Sequence, residues 1–229
     1  ACRDGYIYIH DMSARRDTMN CCLFNVKDVL TGGFEMGNLW YNEPKTLEVA
    51  FDVIGDIVLS AASQQYGGFT VPSVDLILEP FAEKSYEKYY RRYIDMGLTA
   101  RIADREAMKD IQKDFDQGFQ GWEYKFNTVA SSRGDYPFIT MTFGTGTGKF
   151  AKIASITMLN VRRKGQGKKN CKKPVLFPKL VFLYDENLHG AGKELEDVFE
   201  AGILCSSKTM YPDWLSLTGE GYVSEIYQK

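Results

Sequence analysis

Phe138-Ile139-Thr140-Met141-Thr142-Phe143 runs directly into Gly144-Thr145-Gly146-Thr147-Gly148-Lys149. The first six residues are apolar or β-branched and read as a buried strand. The next six read as a glycine-rich loop, and a helix is expected from there to about Arg162. Residues 175–184 then read as another strand and 193–204 as another helix. Strand, helix, strand and helix in that rhythm point to parallel βαβ units and an α/β class. Between the two units lies a basic loop, 162–173, with seven Lys or Arg and Cys171. It has no interleaved aromatics of the kind that stack on bases, so it reads as solvated surface.

Upstream of this unit, three long helices are expected in a row. The first runs from Pro44 to about Gln65 and is apolar nearly all round. Only Glu48, Asp52, Asp56 and Ser60 make a polar stripe. Such a helix lies between layers or in a subunit interface. The second is expected over 79–96, with Ala82, Tyr86, Tyr89, Tyr93 and Met96 on one face. The third is expected over 104–126, where Met108, Ile111, Phe115, Phe119, Trp122 and Phe126 repeat at steps of three and four. Cys205-Ser206-Ser207-Lys208 is expected to open a polar segment after the last helix.

Nearer the N-terminus, residues 5–11 alternate as a short extended segment, and Asn20-Cys21-Cys22-Leu23 begins an apolar run. Adjacent cysteines cannot bridge each other comfortably, and neighbouring strand residues face opposite ways. Cys21 and Cys22 therefore cannot share a role. One reading is a small buried hydrophobe; the other is a reactive thiol on a rigid element.

The 229 residues, 44% hydrophobic and 25% charged, suit a globular protein with a sizeable core. A net charge of −2 gives no reason to expect nucleic acid or an anionic membrane as partner. No apolar run is long enough to span a bilayer and no signal peptide is read. Five cysteines without framework spacing fit a reducing cytoplasm. With no CxxC pair and only His10 and His189, no metal site is expected. Both ends of the chain read as interior to a longer polypeptide.

Other candidates keep two readings each. The Gly144–Lys149 loop fails the Walker and GxGxxG patterns, which leaves a plain strand-to-helix turn or some nucleotide contact. His10 beside Asp11 is an oriented base or a structural hydrogen bond. His189 reads as a loop residue beside a helix and Cys205 as core. Asn127, Thr128, Ser131 and Ser132 form a polar patch that suits either substrate contact or capping.

A resemblance goes further. Tyr8-Ile9-His10-Asp11, Asn20-Cys21-Cys22-Leu23, Gly33-Phe34-Glu35-Met36-Gly37-Asn38 and Ala62-Ser63-Gln64-Gln65-Tyr66-Gly67-Gly68 come in order. Asn127-Thr128 with Ser131-Ser132, Pro137-Phe138-Ile139-Thr140, Phe177-Pro178-Lys179-Leu180-Val181 and Cys205 through Asp213 follow. Together they resemble anaerobic (class III) ribonucleoside-triphosphate reductases, which are glycyl radical enzymes.

That resemblance implies the first half of a ten-stranded α/β barrel, residues 1–229, with a helical dimer and effector region at about 44–126. It implies ribonucleoside triphosphate substrates, ATP or deoxynucleotide effectors and a homodimer. A glycyl radical made by an S-adenosylmethionine iron–sulfur activase, and formate or a thiol system as reductant, are implied too. By position Cys21 matches the family's hydrogen-donating strand cysteine, while His10, Asn127, Thr128, Ser131 and Ser132 match positions near substrate. The finger-loop cysteine, the glycyl radical motif and the C-terminal zinc cysteines are not in this chain. Two other readings stand beside this one. One is a nucleotide-binding and dimerisation module without activity of its own. The other is an unrelated Cys-His hydrolase using Cys21 with His10 or His189.

Overall fold

The computed structural model describes residues 21–65, 67–128 and 138–219. His10, Ser131 and Ser132 lie outside them, as does the extended segment 5–11. In chain order the elements are β1 (Cys22–Leu23), α1 (Val26–Leu30), β2 (Phe34–Met36), β3 (Leu39–Tyr41) and α2 (Leu47–Ala62). Then come β4 (Phe69–Val71), α3 (Val74–Asp95), α4 (Ala100–Thr128), β5 (Ile139–Phe143) and α5 (Lys149–Lys164). The last are β6 (Gln166–Lys168), β7 (Cys171–Lys173), β8 (Lys179–Tyr184), α6 (Glu196–Thr209) and β9 (Asp213–Ser216).

β1, β4, β5, β8 and β9 form one parallel sheet in that spatial order. Strands that neighbour each other in sequence order, joined by crossovers of one hand, put every connecting helix on the same face. Phe69, Val71, Ile139, Met141, Leu180 and Phe182 point into a single core shared with α2 to α6. Residues of the other parity face away from the helices. Leu23 there is 69% exposed, and Thr70, Thr140, Lys179 and Val181 are half-buried. Among the described residues the sheet is clothed by helices on one side only, and an ordered parallel sheet of this kind is the topology of half an α/β barrel, as expected.

Each helix has a local cause. The side chain of Thr46 accepts from Val49 N at 3.4 Å and caps α2, so the helix starts after Pro44. Its nearly all-round apolar surface is consumed within the chain, between the sheet and α4. Trp122 Nε1 donates to Phe51 O at 2.8 Å, and Phe51 meets Phe115, Phe119 and Trp122 edge-on. α3 begins at Val74, five residues ahead of the expected start. Pro80 sits inside it.

Three further expectations are corrected. Residues 166–173 of the basic loop form an antiparallel hairpin, β6–β7. The strand expected over 175–184 begins only at Lys179, after a cis Phe177–Pro178 bond. Cys205 through Lys208 is helical, because α6 runs to Thr209 and buries Cys205 completely.

Candidate active site

Cys22 pairs with Phe69, and Phe69 with Ile139, in one row across the sheet. Phe69 and Ile139 are fully buried and Cys22 packs against the same core. Extended residues alternate, so the row one residue earlier, Cys21, Gly68 and Phe138, looks out from the opposite face. Accordingly Cys21 is exposed and the Phe138 side chain is 61% exposed. The sulfur of Cys21 accepts a hydrogen bond from Gly68 N at 3.2 Å, and Cys22 N donates to Gly68 O at 3.1 Å. The two thiols are thus turned to opposite sides of one strand.

Behind Phe138 stands the Phe177 ring, edge-on at 5.2 Å. Asn127, near the end of α4, holds that residue. Its Nδ2 donates to Phe177 O at 2.6 Å and to Glu123 O at 2.7 Å, and its Oδ1 accepts from Phe177 N at 3.1 Å. Thr128 returns its hydroxyl to Tyr124 O at 2.6 Å. The fold therefore brings Cys21, Asn127 and Thr128 to the same N-terminal edge of the sheet. Of the two readings of the polar patch, capping and clamping is what Asn127 and Thr128 do within this chain.

Arg162 supports the same edge from below. Its Nε donates to Glu123 Oε1 at 2.7 Å and its Nη2 to Pro178 O at 2.7 Å, with both side chains buried. Gln166 Nε2 donates to Glu123 Oε2 at 2.6 Å. A buried pair whose remaining oxygens are also bonded fixes geometry more surely than it adds stability. Here it fixes the turn that starts β8. On the open face, Lys179 Nζ lies 3.7 Å from Asp213 Oδ2, a pair the sequence reading did not single out.

The opposite, C-terminal edge carries the glycine-rich loop, and its anion site is filled from within. Asp75 Oδ2 accepts from Gly144 N at 3.0 Å, Gly146 N at 3.1 Å and Ser155 Oγ at 3.3 Å. Glu79 Oε1 accepts from Ala151 N in the first turn of α5. Carboxylates from α3 occupy the amides a phosphate would need, so the turn reading holds. His189 belongs to this edge as well. Its Nε2 lies 2.7 Å from Gly144 O, and its Nδ1 accepts from Asp185 N at 3.0 Å, among Phe182, Tyr184 and Phe199. It is 2% exposed and both ring nitrogens are engaged with backbone, so it is a structural residue of the loop before α6, as expected. A strand of five residues, roughly 17 Å, separates it from Cys21. A hydrolytic pair of Cys21 with His189 is excluded on that ground.

Burial pushes the Cys205 thiol up, opposed by a contact with Thr209, which leaves it inert core. A cleft of about 460 Å³ opens between α2, α3 and α4. It presents Glu48, Asp52, Asp110 and Asp114 against Arg92, Lys113 and Lys125, a balance that does not by itself attract a triphosphate. Among the described residues no cluster of three His, Cys, Asp or Glu could hold a metal, and no helix is long and apolar enough to cross a membrane.

The family model for anaerobic ribonucleoside-triphosphate reductase matches residues 1–228. The chain belongs to that family. It is 36% identical over 216 residues to the anaerobic ribonucleoside-triphosphate reductase of Enterobacteria phage T4, covering 93% of this chain and 35% of that protein. It is 35% identical over 215 residues to the Escherichia coli K12 reductase, covering 93% of this chain and 30% of that protein. The chain thus spans about a third of the length of these relatives. Among solved structures, the Thermotoga maritima anaerobic ribonucleotide reductase with citrate in its active site aligns at a TM-score of 0.63 and 16% identity. That alignment covers 95% of this chain and 39% of the other. The same enzyme in complex with dATP and CTP aligns at 0.61 and 16% identity, covering 91% and 35%. At that identity the likeness concerns the fold alone.

Proposed function

We propose that this chain is the first half of the catalytic barrel of an anaerobic ribonucleoside-triphosphate reductase and that Cys21 donates hydrogen to the substrate's ribose. The observation supporting this reading is the exposure of Cys21 on the sheet face without helices, opposite the inward-turned Cys22. A sulfur fixed on a barrel strand has little freedom, and proximity of that kind supplies much of a reaction's rate. The reaction converts a ribonucleoside triphosphate to its deoxy form in the cytoplasm, the 2′-hydroxyl leaving as water, with formate or a thiol system as reductant. A glycyl radical elsewhere in the complete polypeptide, made by an S-adenosylmethionine iron–sulfur activase, supplies the oxidising equivalent.

Within this chain, His10, Asn127, Thr128, Ser131 and Ser132 are assigned to the surroundings of the substrate. Asn127 serves there by fixing the Phe177 wall, since its amide is committed to that backbone. The helices over 44–65 and 104–126 are assigned to a homodimer that binds ATP or deoxynucleotide effectors. The partner subunit would have to supply further cations to any effector site in the acidic cleft.

Replacing Cys21 by Ser in the complete enzyme tests the reading. Deoxynucleotide formation is expected to disappear while the melting temperature stays at the parent's value, because serine matches the side chain in shape and keeps an acceptor for Gly68 N. Normal product formation by Cys21→Ser would overturn the assignment.

A further inference from the structure

Glycines in this chain mostly have a reason inside the fold. A Cβ on Gly118 would lie 2.3 Å from the Phe51 ring, one on Gly146 would lie 2.5 Å from Ala151 Cβ, and Gly144 has φ of +114°. Gly68, like Gly121 on α4, has no such reason among the described residues. Its φ lies outside the left-handed region, and among the described residues a Cβ built there meets only Phe138 O at 3.9 Å, an ordinary contact. A side chain would fit, and glycine costs conformational entropy without returning packing. The space beside residue 68 therefore answers to something other than the chain's own core.

What surrounds that space is the row already described. Cys21 stands on one side of Gly68 and the exposed Phe138 on the other, all on the helix-free face. Gly68 also grips the cysteine strand twice, donating its N–H to Cys21 Sγ at 3.2 Å and accepting Cys22 N at 3.1 Å. Because the sulfur accepts at that bond, its own S–H is left to point away from Gly68. We infer that Gly68 is a positioning residue for the reaction: its amide sets the thiol of Cys21, and its missing side chain keeps clear the strip between that sulfur and Phe138 in which the substrate's sugar lies. This inference rests on the reading of Cys21 as the reacting thiol.

The test uses the complete reductase with Gly68→Ala, Gly68→Val and, as control, Cys21→Ser. Three quantities are measured: melting temperature, the rate at which iodoacetamide alkylates Cys21, and kcat and KM for the ribonucleotide. Gly68→Ala is expected to melt with the parent and to keep its alkylation rate within about twofold, since a reagent that small still reaches the sulfur. Its kcat/KM is expected to fall on the order of 10-fold, with KM rising, and that of Gly68→Val about 100-fold, because misplacement near 1 Å has that scale of effect. Parent-like kcat/KM in Gly68→Ala overturns the inference. So does a drop in melting temperature in Gly68→Ala that accompanies the loss of activity, which would make Gly68 a folding residue. If Gly68→Val fails to fold, Gly68→Ala decides. An active Cys21→Ser would remove the underlying reading itself, whereas an inactive Cys21→Ser beside a parent-like Gly68→Ala would remove only the role of Gly68.

Discussion

Asp75 is the residue on which two layers of this molecule meet. It lies in the first turn of α3, fully buried, and closes the loop that begins α5 by accepting from Gly144, Gly146 and Ser155. Among the described residues no side chain or backbone group is placed to hydrogen-bond its second oxygen, Oδ1, with good geometry. Burial pushes its carboxyl up from 3.8, while the amides of Gly144 and Gly146 pull it down. A carboxyl whose folded value exceeds its unfolded value contributes stability that is complete below the unfolded value. That contribution is lost as pH rises through the folded value. Asp75→Asn keeps an oxygen for the two glycine amides and removes the ionisation. Relative to this variant, the parent is expected to lose stability as pH climbs above 3.8, with a constant difference at lower pH. Urea unfolding at a series of pH values checks this. A difference that did not change with pH would mean that the Asp75 carboxyl titrates alike in the folded and unfolded states, and would overturn the upward shift.

At the scale of elements, the contact between α2 and α4 turns on one missing methyl group. Gly118 lets the ring of Phe51 lie against the backbone of α4, where an added Cβ would stand 2.3 Å from Cδ2. Gly121, one turn further on, has nothing within 4 Å. Helix propensity alone favours alanine by about 0.8–1.0 kcal/mol at both positions. Gly121→Ala is therefore expected to stabilise by about that amount, whereas Gly118→Ala is expected to destabilise by about 1–2 kcal/mol once overpacking outweighs propensity. Chemical denaturation of the pair reads both signs, and two changes of the same sign would refute this account of the interface. Such contacts mark the limit of what was legible beforehand. The amphipathic run from Ile111 to Phe126 announced α4, and Ile139 to Phe143 announced β5, because both patterns are local. β4 and β9 span only three and four residues, too few to carry a period, and both went unread. Cys205 to Lys208 looked polar, yet Ser207 and Thr209 return their hydroxyls to Leu204 O and Cys205 O within the helix. Asp75 reaches Gly144 across 69 positions, a pairing that no window of sequence displays. The opposed facing of Cys21 and Cys22 was legible, since strand alternation requires only that the two be neighbours.

For the whole molecule, the decisive property is a sheet with one clothed face. Five parallel strands in chain order send every helix to one side, and the bare side carries Leu23 and Phe138, each more than half exposed. Apolar residues on a sheet face read as surface awaiting cover, and the chain spans only about a third of the length of the reductases it matches. The two settings then make opposite demands on the same positions. With residues 1–229 produced alone, Leu23→Lys with Phe138→Lys is expected to lower the binding of a hydrophobic dye and raise the soluble yield. In the complete polypeptide the same pair would sit inside a closed barrel, where an unpaired cation pays a desolvation penalty of several kcal/mol. Melting should there become less cooperative and move to lower temperature. Lysines tolerated equally in both settings would mean that the bare face stays open to water in the full protein. On the proposed reading Cys21 would then work at a surface rather than inside a barrel, and the protection from water that the proposed radical chemistry requires would have to come from elsewhere.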